Sequence, residues 1–222
     1  MQRREFSISA VALAGAASAG AVSLGFSGAA LAQGKVPQEG TDYLTLDKAA
    51  PTEAPTDKIE VVEFFWYSCP HCNAFEPKLE SWIKKLPKDV VIRRVPVAFR
   101  PDFEPQQRLY YVLESMGKVD EMQIKVFNAI HRERQPLTSA DQITAWAEKQ
   151  GIDKAKFVDA YNSFPIVTKV RKATQLQDQY KVQGVPALGI AGRFYTDGTQ
   201  AGTMERALII TDYLIGMARK GK

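Results

Sequence analysis

Cys69-Pro70-His71-Cys72 follows an apolar run from Ile59 to Tyr67 and precedes a segment with helical periodicity; it holds the two cysteines of this 222-residue chain. The apolar run is rich in β-branched and aromatic residues, which predicts a buried strand. Pro70 suits the first position of a helix, where the missing N–H costs no hydrogen bond. The sequence therefore predicts a strand, a turn and a helix, with Cys69 at or beside the helix N-cap.

A cysteine at a helix N-terminus meets unpaired backbone N–H groups and the positive end of the helix dipole, which favour a thiolate over a thiol. The pair fits a redox dithiol, half of a metal site or a structural disulfide. A two-residue loop constrains the unfolded chain very little, so stability is a poor reason for such a disulfide. Copper or zinc binding remains an alternative of a different class, although His71 is too constrained by its neighbours to join the cysteines easily as a ligand. His131 has no partner motif and is expected on the surface.

The first 32 residues differ in composition from the rest of the chain. Arg3-Arg4 precedes an almost uncharged run that ends in Ala30-Leu31-Ala32, the pattern of a cleavable signal peptide with an A-x-A site. Arg3-Arg4-Glu5-Phe6 also resembles a twin-arginine export signal. We therefore expect an exported protein, in a compartment where a disulfide can persist.

The amino-acid composition has no extreme value, so it excludes few classes of protein. The chain is 45% hydrophobic and 24% charged, which suits one or two globular domains with a sizeable core. Without residues 1–32 the formal net charge falls from +4 to +3, and the basic residues are mixed with acidic ones. This charge is too mild to predict nucleic-acid binding.

The order of predicted elements places two strands on each side of a long helical region. Val90 to Val97 predicts a second strand, parallel to the first across a helix that contains Pro77 and is expected to kink there. Pro186 to Ile190 and Arg193 to Thr196 predict a hairpin, followed by a last helix. The predicted division is a signal peptide over 1–32, an N-terminal arm and linker over 33–58, a first α/β part over 59–104, a helical insertion over 105–181 and a second α/β part over 182–222.

Several of these features together resemble a known fold. A strand, a C-x-x-C at a helix start, Pro77 eight positions after the first cysteine and a late Val-Pro before a hairpin are similar to the thioredoxin fold, an α/β architecture. Cys69-Pro70-His71-Cys72 after Glu63-Phe64-Phe65, the large all-helical insertion in the mixed sheet and Gly184-Val185-Pro186 resemble the DsbA family of periplasmic thiol:disulfide oxidoreductases.

The resemblance implies a role for each residue of the active centre. Cys69 and Cys72 would form a redox-active disulfide without a metal or other cofactor; a substrate thiolate would attack the exposed Cys69 sulfur and release Cys72. His71 would tune the Cys69 thiolate, while Glu63 would either relay a proton for Cys72 or pair with a lysine. If the Cys69 pKa fell to ~4.5, the reduced form would gain about 3.4 kcal/mol at pH 7, roughly 75 mV. Glu76 is expected on the helix surface.

The resemblance also implies partners. Pro186 is expected in the cis form, with Val185 exposed to pair with an extended substrate. The expected substrates are unfolded exported proteins with free thiols, and a quinone-linked, DsbB-like membrane protein would reoxidise the dithiol; the protein itself is expected to be a monomer. A reductase or isomerase of the same fold is the nearest alternative, although the N-terminal arm looks too short for the dimerisation domain of an isomerase.

Overall fold

The computed structural model describes residues 35–221, and its compact unit begins at Pro37. The predicted signal peptide and twin-arginine motif lie outside the described residues. Among the described residues, no helix has the length and apolar character required to cross a membrane.

The centre of the fold is a five-stranded mixed sheet with the strand order β1-β5-β4-β2-β3. Strand β2 pairs in parallel with β3 and antiparallel with β4, so the first strand of the predicted strand-turn-helix unit lies inside the sheet. The strands are β1 (Leu44–Thr45), β2 (Ile59–Phe65), β3 (Val90–Pro96), β4 (Ala187–Ile190) and β5 (Phe194–Asp197).

Helix α1 connects β2 to β3, five helices lie between β3 and β4, and two follow β5. The sequence predicts Thr138 or Ser139 as the cap of one helix and Asp153 as the cap of the next. In the structure Ser139 and Asp153 cap α4 and α5 through their side-chain oxygens. Helix α1 continues through Pro77, and the kink there stays a prediction. The helices are α1 (Pro70–Ile83), α2 (Glu104–Ser115), α3 (Val119–His131), α4 (Ala140–Lys149), α5 (Lys154–Tyr161), α6 (Phe164–Gln179), α7 (Gly198–Ala201) and α8 (Met204–Arg219).

Alternation along β2 divides the core between the two faces of the sheet. Val62 and Phe64 belong to the hydrophobic cluster that includes residues of α2 to α6. Val61 belongs to the cluster that includes residues of α1 and α8. The helical region and the sheet therefore share one core, which holds the end of β2 and the start of α1 in place.

The hairpin turns at Ala191-Gly192, where both residues have positive φ, 54° and 67°. A Cβ atom at position 192 would collide with the carbonyl oxygen of Ala50, so the turn requires glycine for space as well as conformation. After β5 the dipeptide Asp197-Gly198 predicts a second turn, but the chain enters a short helix there and the prediction is wrong. Asp197 instead caps the short helix α7, because its carboxylate accepts the N–H groups of the two residues after Gly198.

Candidate active site

The start of α1 places Cys69 at the N-cap and Pro70 at the first helical position, as predicted. The Cys69 sulfur accepts the backbone N–H of Cys72 at 3.4 Å. Upstream, the Cys69 N–H donates to the carbonyl of Trp66 at 3.0 Å. Cys69 is therefore held by hydrogen bonds from both the helix and the preceding turn.

The two cysteines are free thiols with pKa values displaced in opposite directions. The pKa of Cys69 falls to about 6 because the Cys72 side chain donates to its sulfur, with further help from the N–H groups and the charge at the helix start. Burial, reinforced by Cys69, raises the pKa of Cys72 well above its usual range. The exposed fraction is 7% for Cys69 and 0% for Cys72. The expectation of an exposed Cys69 is thus wrong in degree, although Cys69 is the more accessible of the two.

His71 is exposed on the first turn of α1. Its backbone N–H and its charge both lower the pKa of Cys69, but they rank behind the contact with the Cys72 side chain. The tuning that the sequence assigned to His71 is therefore shared with Cys72. Within residues 35–221, no group of three or more His, Cys, Asp and Glu side chains is arranged to hold a metal ion.

Val185 and Pro186 lie across from Cys69, joined by the predicted cis peptide bond. The Cys69 thiol donates to the carbonyl oxygen of Val185 at 3.3 Å. Only a protonated sulfur can donate this bond, so the thiolate must give it up. A groove of about 630 Å³ adjoins this contact and is lined by His71, Val185 and Pro186 together with residues around Tyr195.

Glu63 lies within β2, fully buried, and neither of its carboxyl oxygens has a hydrogen-bond partner in the described part of the chain. The register places Arg94 of β3 beside it, with Arg94 Nε 3.7 Å from Glu63 Oε2. Burial raises the pKa of Glu63 to about 8, against the opposing charge of Arg94. The sequence offered a buried acid or a lysine pair; the structure gives a buried acid whose neighbouring cation is an arginine.

Arg94 also binds two carboxylates of α1. Its Nη1 donates to both oxygens of Glu76 at 2.7 and 2.9 Å, and its Nη2 donates to Glu80. Glu76 is only 2% exposed, so its predicted surface position is wrong. It follows Cys72 by four residues on the same face of α1, and that face is buried. The arginine in a strand predicted to be buried was the signal for this cluster.

Sequence reasoning missed three polar residues from the helical region that hold the turn before Cys69. Gln106 accepts the Ser68 N–H at 3.2 Å and donates to the Ser68 hydroxyl at 2.7 Å. Gln123 accepts the Tyr67 hydroxyl at 2.7 Å. His131, expected on the surface, is partly buried with Nε2 2.8 Å from the Tyr67 carbonyl oxygen. Nothing in the local sequence pattern links these residues to positions 67 and 68.

Comparison with known proteins agrees with this architecture. A family model for the DSBA-like thioredoxin domain matches residues 60–208. The thiol:disulfide interchange protein DsbA of Bordetella pertussis is 41% identical over 209 residues, which covers 94% of this chain and 96% of that relative. The protein of the same name from Burkholderia cepacia is 36% identical over 202 residues, 90% of this chain and 95% of the relative.

Solved structures extend the agreement to the fold. The crystal structure of Pseudomonas aeruginosa DsbA has a TM-score of 0.79 and 39% sequence identity, covering 83% of this chain and 95% of that one. An oxidoreductase DsbA from Xylella fastidiosa has a TM-score of 0.78 at 29% identity, covering 84% and 100%. The predicted thioredoxin-like mixed sheet with an inserted helical region is confirmed.

Proposed function

The chain belongs to the DsbA-like family of thioredoxin-fold thiol:disulfide oxidoreductases, and on this premise we propose that it donates a Cys69–Cys72 disulfide to reduced, unfolded exported proteins. The observation that carries this proposal is the position of Cys69 at the N-cap of α1 facing the Val185 carbonyl, with Cys72 fully buried; the pKa values of the two thiols are displaced in opposite directions accordingly. Cys69, the more accessible sulfur, is the stabilised thiolate, and Cys72 is the buried thiol. A dithiol polarised in this way favours its reduced form, and so its disulfide is a better oxidant.

The magnitude is smaller than the sequence suggested. With a Cys69 pKa of about 6, the thiolate at pH 7 is about 1.4 kcal/mol below an unperturbed thiol. This difference corresponds to roughly 30 mV in the potential of the dithiol, against the roughly 75 mV expected for a lower pKa. The lowered pKa of Cys69 therefore makes the disulfide a stronger oxidant, but this effect alone does not make it a very strong one.

The reaction proceeds through two exchanges of a sulfur–sulfur bond. A substrate thiolate attacks the Cys69 sulfur, the Cys69–Cys72 bond breaks, and Cys72 leaves with the electron pair and takes up a proton. A second substrate thiolate then attacks the substrate sulfur of the mixed disulfide, and Cys69 leaves as a thiolate. The substrate loses two electrons and gains a disulfide, while the enzyme becomes a dithiol.

The surrounding residues support these steps. Pro70 starts the helix whose N–H groups favour the Cys69 thiolate, and His71 adds its charge. An extended substrate would lie beside Val185 and Pro186, where the backbone already faces the Cys69 sulfur. Glu63 would supply or accept the Cys72 proton.

The family and the predicted export signal support a cellular setting for this reaction. We place the protein in the periplasm, with the disulfide as its redox centre in place of a metal or organic cofactor. A quinone-linked, DsbB-like membrane protein would restore the disulfide. We expect the protein to act as a monomer and not to bind nucleic acid.

The direct test is oxidation of a reduced, unfolded protein with several cysteines, with glutathione as the terminal electron acceptor. The purified protein should accelerate the appearance of disulfides, and the Cys69→Ser variant should not; equal rates for the two would overturn the proposal. The equilibrium constant with glutathione then separates oxidase from reductase. A potential near about −270 mV would indicate a reductase, and a value above about −180 mV an oxidase.

A further inference from the structure

The segment between α3 and α4, residues 132–138, lies beside the turn that carries Cys69. Its first anchor is His131, whose Nε2 is 2.8 Å from the Tyr67 carbonyl oxygen. Its second is Gln106, whose amide donates to the carbonyls of Pro136 and Leu137 at 3.1 and 3.3 Å. The same amide nitrogen is 2.7 Å from the Ser68 hydroxyl. One side chain thus joins the residue before Cys69 to this segment, which we call the 132–138 loop.

The 132–138 loop carries two arginines that the fold leaves without partners. Arg132 and Arg134 are exposed, and within residues 35–221 neither side chain takes part in an ion pair, a hydrogen bond or a contact with an aromatic ring. Glu133 lies between them and makes no ion pair with either; its carboxylate accepts the side-chain amide of Gln135 at 2.6 Å and adds one negative charge to the loop. Two guanidinium groups are therefore available for a partner outside the chain.

The backbone of the loop is fixed in an unusual conformation. Arg134 and Leu137 have φ values of 58° and 46°, in the left-handed region that residues other than glycine seldom adopt. The side chain of Leu137 is buried, with an exposed fraction of 1%, and the Gln135 N–H donates to the Ala129 carbonyl at 2.8 Å. Strained backbone persists where the surroundings hold it and is concentrated at functional sites. This loop is accordingly a rigid support for its arginines.

The hydrogen bonds of Gln106 and His131 place the 132–138 loop beside the turn before Cys69, so a substrate bound through Cys69 would lie close to it. The Cys69 sulfur faces the carbonyl oxygen of Val185, and Gln106 joins Ser68, the residue before Cys69, to the carbonyls of Pro136 and Leu137. An extended segment advances about 3.3 Å per residue, so positions two or three away from its cysteine come within reach of a long side chain.

From this placement we propose that Arg132 and Arg134 form a basic rim that selects substrate segments with acidic residues flanking the reacting cysteine. The proposal rests on the oxidase function proposed above and adds a substrate preference to it. Arg132 and Arg134 outnumber Glu133, the one acidic residue of the 132–138 loop, so the loop carries a net positive charge. Exposed charges of this kind steer encounter and select partners more than they add affinity.

The rim acts on the substrate and not on the nucleophile. The groups that lower the pKa of Cys69 are Cys72 and His71, and neither loop arginine is among them. Reversing the two charges should therefore change which peptides react while the Cys69 thiolate titrates as before. If the two arginines only stabilised the loop, reversing their charges would disturb the turn and shift the titration of Cys69.

The experiment compares three peptides that each contain two reduced cysteines flanked by Glu, by Gln or by Lys. At low ionic strength the wild-type protein should oxidise the Glu peptide about tenfold faster than the Lys peptide, measured as kcat/KM. The double variant Arg132→Glu/Arg134→Glu should reverse this order. Its rate with the Gln peptide and its Cys69 titration should change less than about twofold, and high salt should reduce the preference of both proteins.

Lys149→Glu/Lys156→Glu is the matched control, because it makes the same change in net charge at exposed, unpaired lysines of α4 and α5 within the described chain. It should keep the wild-type order of peptides. An unchanged order in the loop variant, or an equal shift in the control, overturns the basic rim. If the loop variant shifts the Cys69 titration, the neutral variant Arg132→Gln/Arg134→Gln decides: a lost preference supports the rim, and a retained one overturns it. Failure of the wild-type protein on the Gln peptide would instead count against the oxidase function.

Discussion

Glu63→Gln tests whether the buried carboxyl of β2 is protonated at neutral pH. The folded pKa of about 8 stands above an ordinary value of 4.5, because burial disfavours the carboxylate more than Arg94 favours it. Between these values the folded state holds a proton that the unfolded state has lost. The unfolded state therefore binds fewer protons, and the free energy of unfolding falls as pH rises.

The expected change in the free energy of unfolding follows from the difference between the folded and the ordinary pKa of Glu63. From pH 4.5 to pH 7 the loss is about 3 kcal/mol at about 1.4 kcal/mol per unit, and it continues until the pH passes the folded pKa. Glutamine has nearly the same shape and does not titrate. The variant should match the wild type within about 1 kcal/mol near pH 4.5 and exceed its stability by about 3 kcal/mol at pH 7.

Urea unfolding at several pH values measures this difference, and the disulfide form is the right species because neither cysteine titrates in it. Glu80→Gln is the control: this carboxylate binds the same arginine, but its side chain is 45% exposed. The difference between Glu63→Gln and wild type should grow with pH, and the control should show no such growth. A difference that stays constant from pH 4.5 to pH 8 would mean that Glu63 is ionised in the folded protein, and the reasoning would be refuted.

Three further changes test the other contacts of the site. Cys72→Ala should raise the pKa of Cys69 more than His71→Ser does, because the Cys72 side chain makes the largest contribution to lowering that pKa. Thiolate absorbance measured against pH gives the Cys69 pKa of each variant. A larger rise in His71→Ser would contradict this prediction. Arg94→Met should lower the free energy of unfolding by about 3 kcal/mol or more at pH 7, since it leaves the buried Glu76 carboxylate without its cation. A loss below about 1 kcal/mol in urea unfolding would show that Glu76 is solvated. Gln106→Leu should lower the free energy of unfolding by about 1–3 kcal/mol, because Ser68 and two loop carbonyls lose their hydrogen-bond partner. Amide hydrogen exchange should become faster at the turn before Cys69. Unchanged exchange there would show that Gln106 does not hold the turn.

The parts of the site that were predictable depend on neighbours in sequence. The N-cap position of Cys69 follows from a strand that ends, a proline that begins a helix and the N–H groups of the next residues, all within about one helical turn. The caps at Ser139 and Asp153 are local for the same reason. Such features depend on the backbone conformation of a few consecutive residues, and the types of those residues predict that conformation directly.

The parts that were missed depend on contacts between distant segments. Gln106 meets Ser68 across 38 positions, and His131 meets Tyr67 across 64. Glu76 and Arg94 are 18 positions apart and meet because α1 packs on β3. A glutamine or glutamate on a helix looks the same in sequence whether its neighbour is water or a buried donor. Only the packing of the helical region against the turn distinguishes the two.

The acid at Glu63 has a place in the chemistry because Cys72 is a poor leaving group. Its raised pKa makes the departing thiolate basic, and a leaving thiol with a high pKa departs slowly. Burial keeps Glu63 protonated near pH 7, and Glu63 is close enough to affect the pKa of Cys72 electrostatically. Under the proposed function, Glu63 would supply the proton as Cys72 leaves, and Arg94 would then stabilise the carboxylate until a proton returns. Reoxidation of the dithiol would run the same transfer in reverse, so one buried carboxyl would serve both directions of exchange.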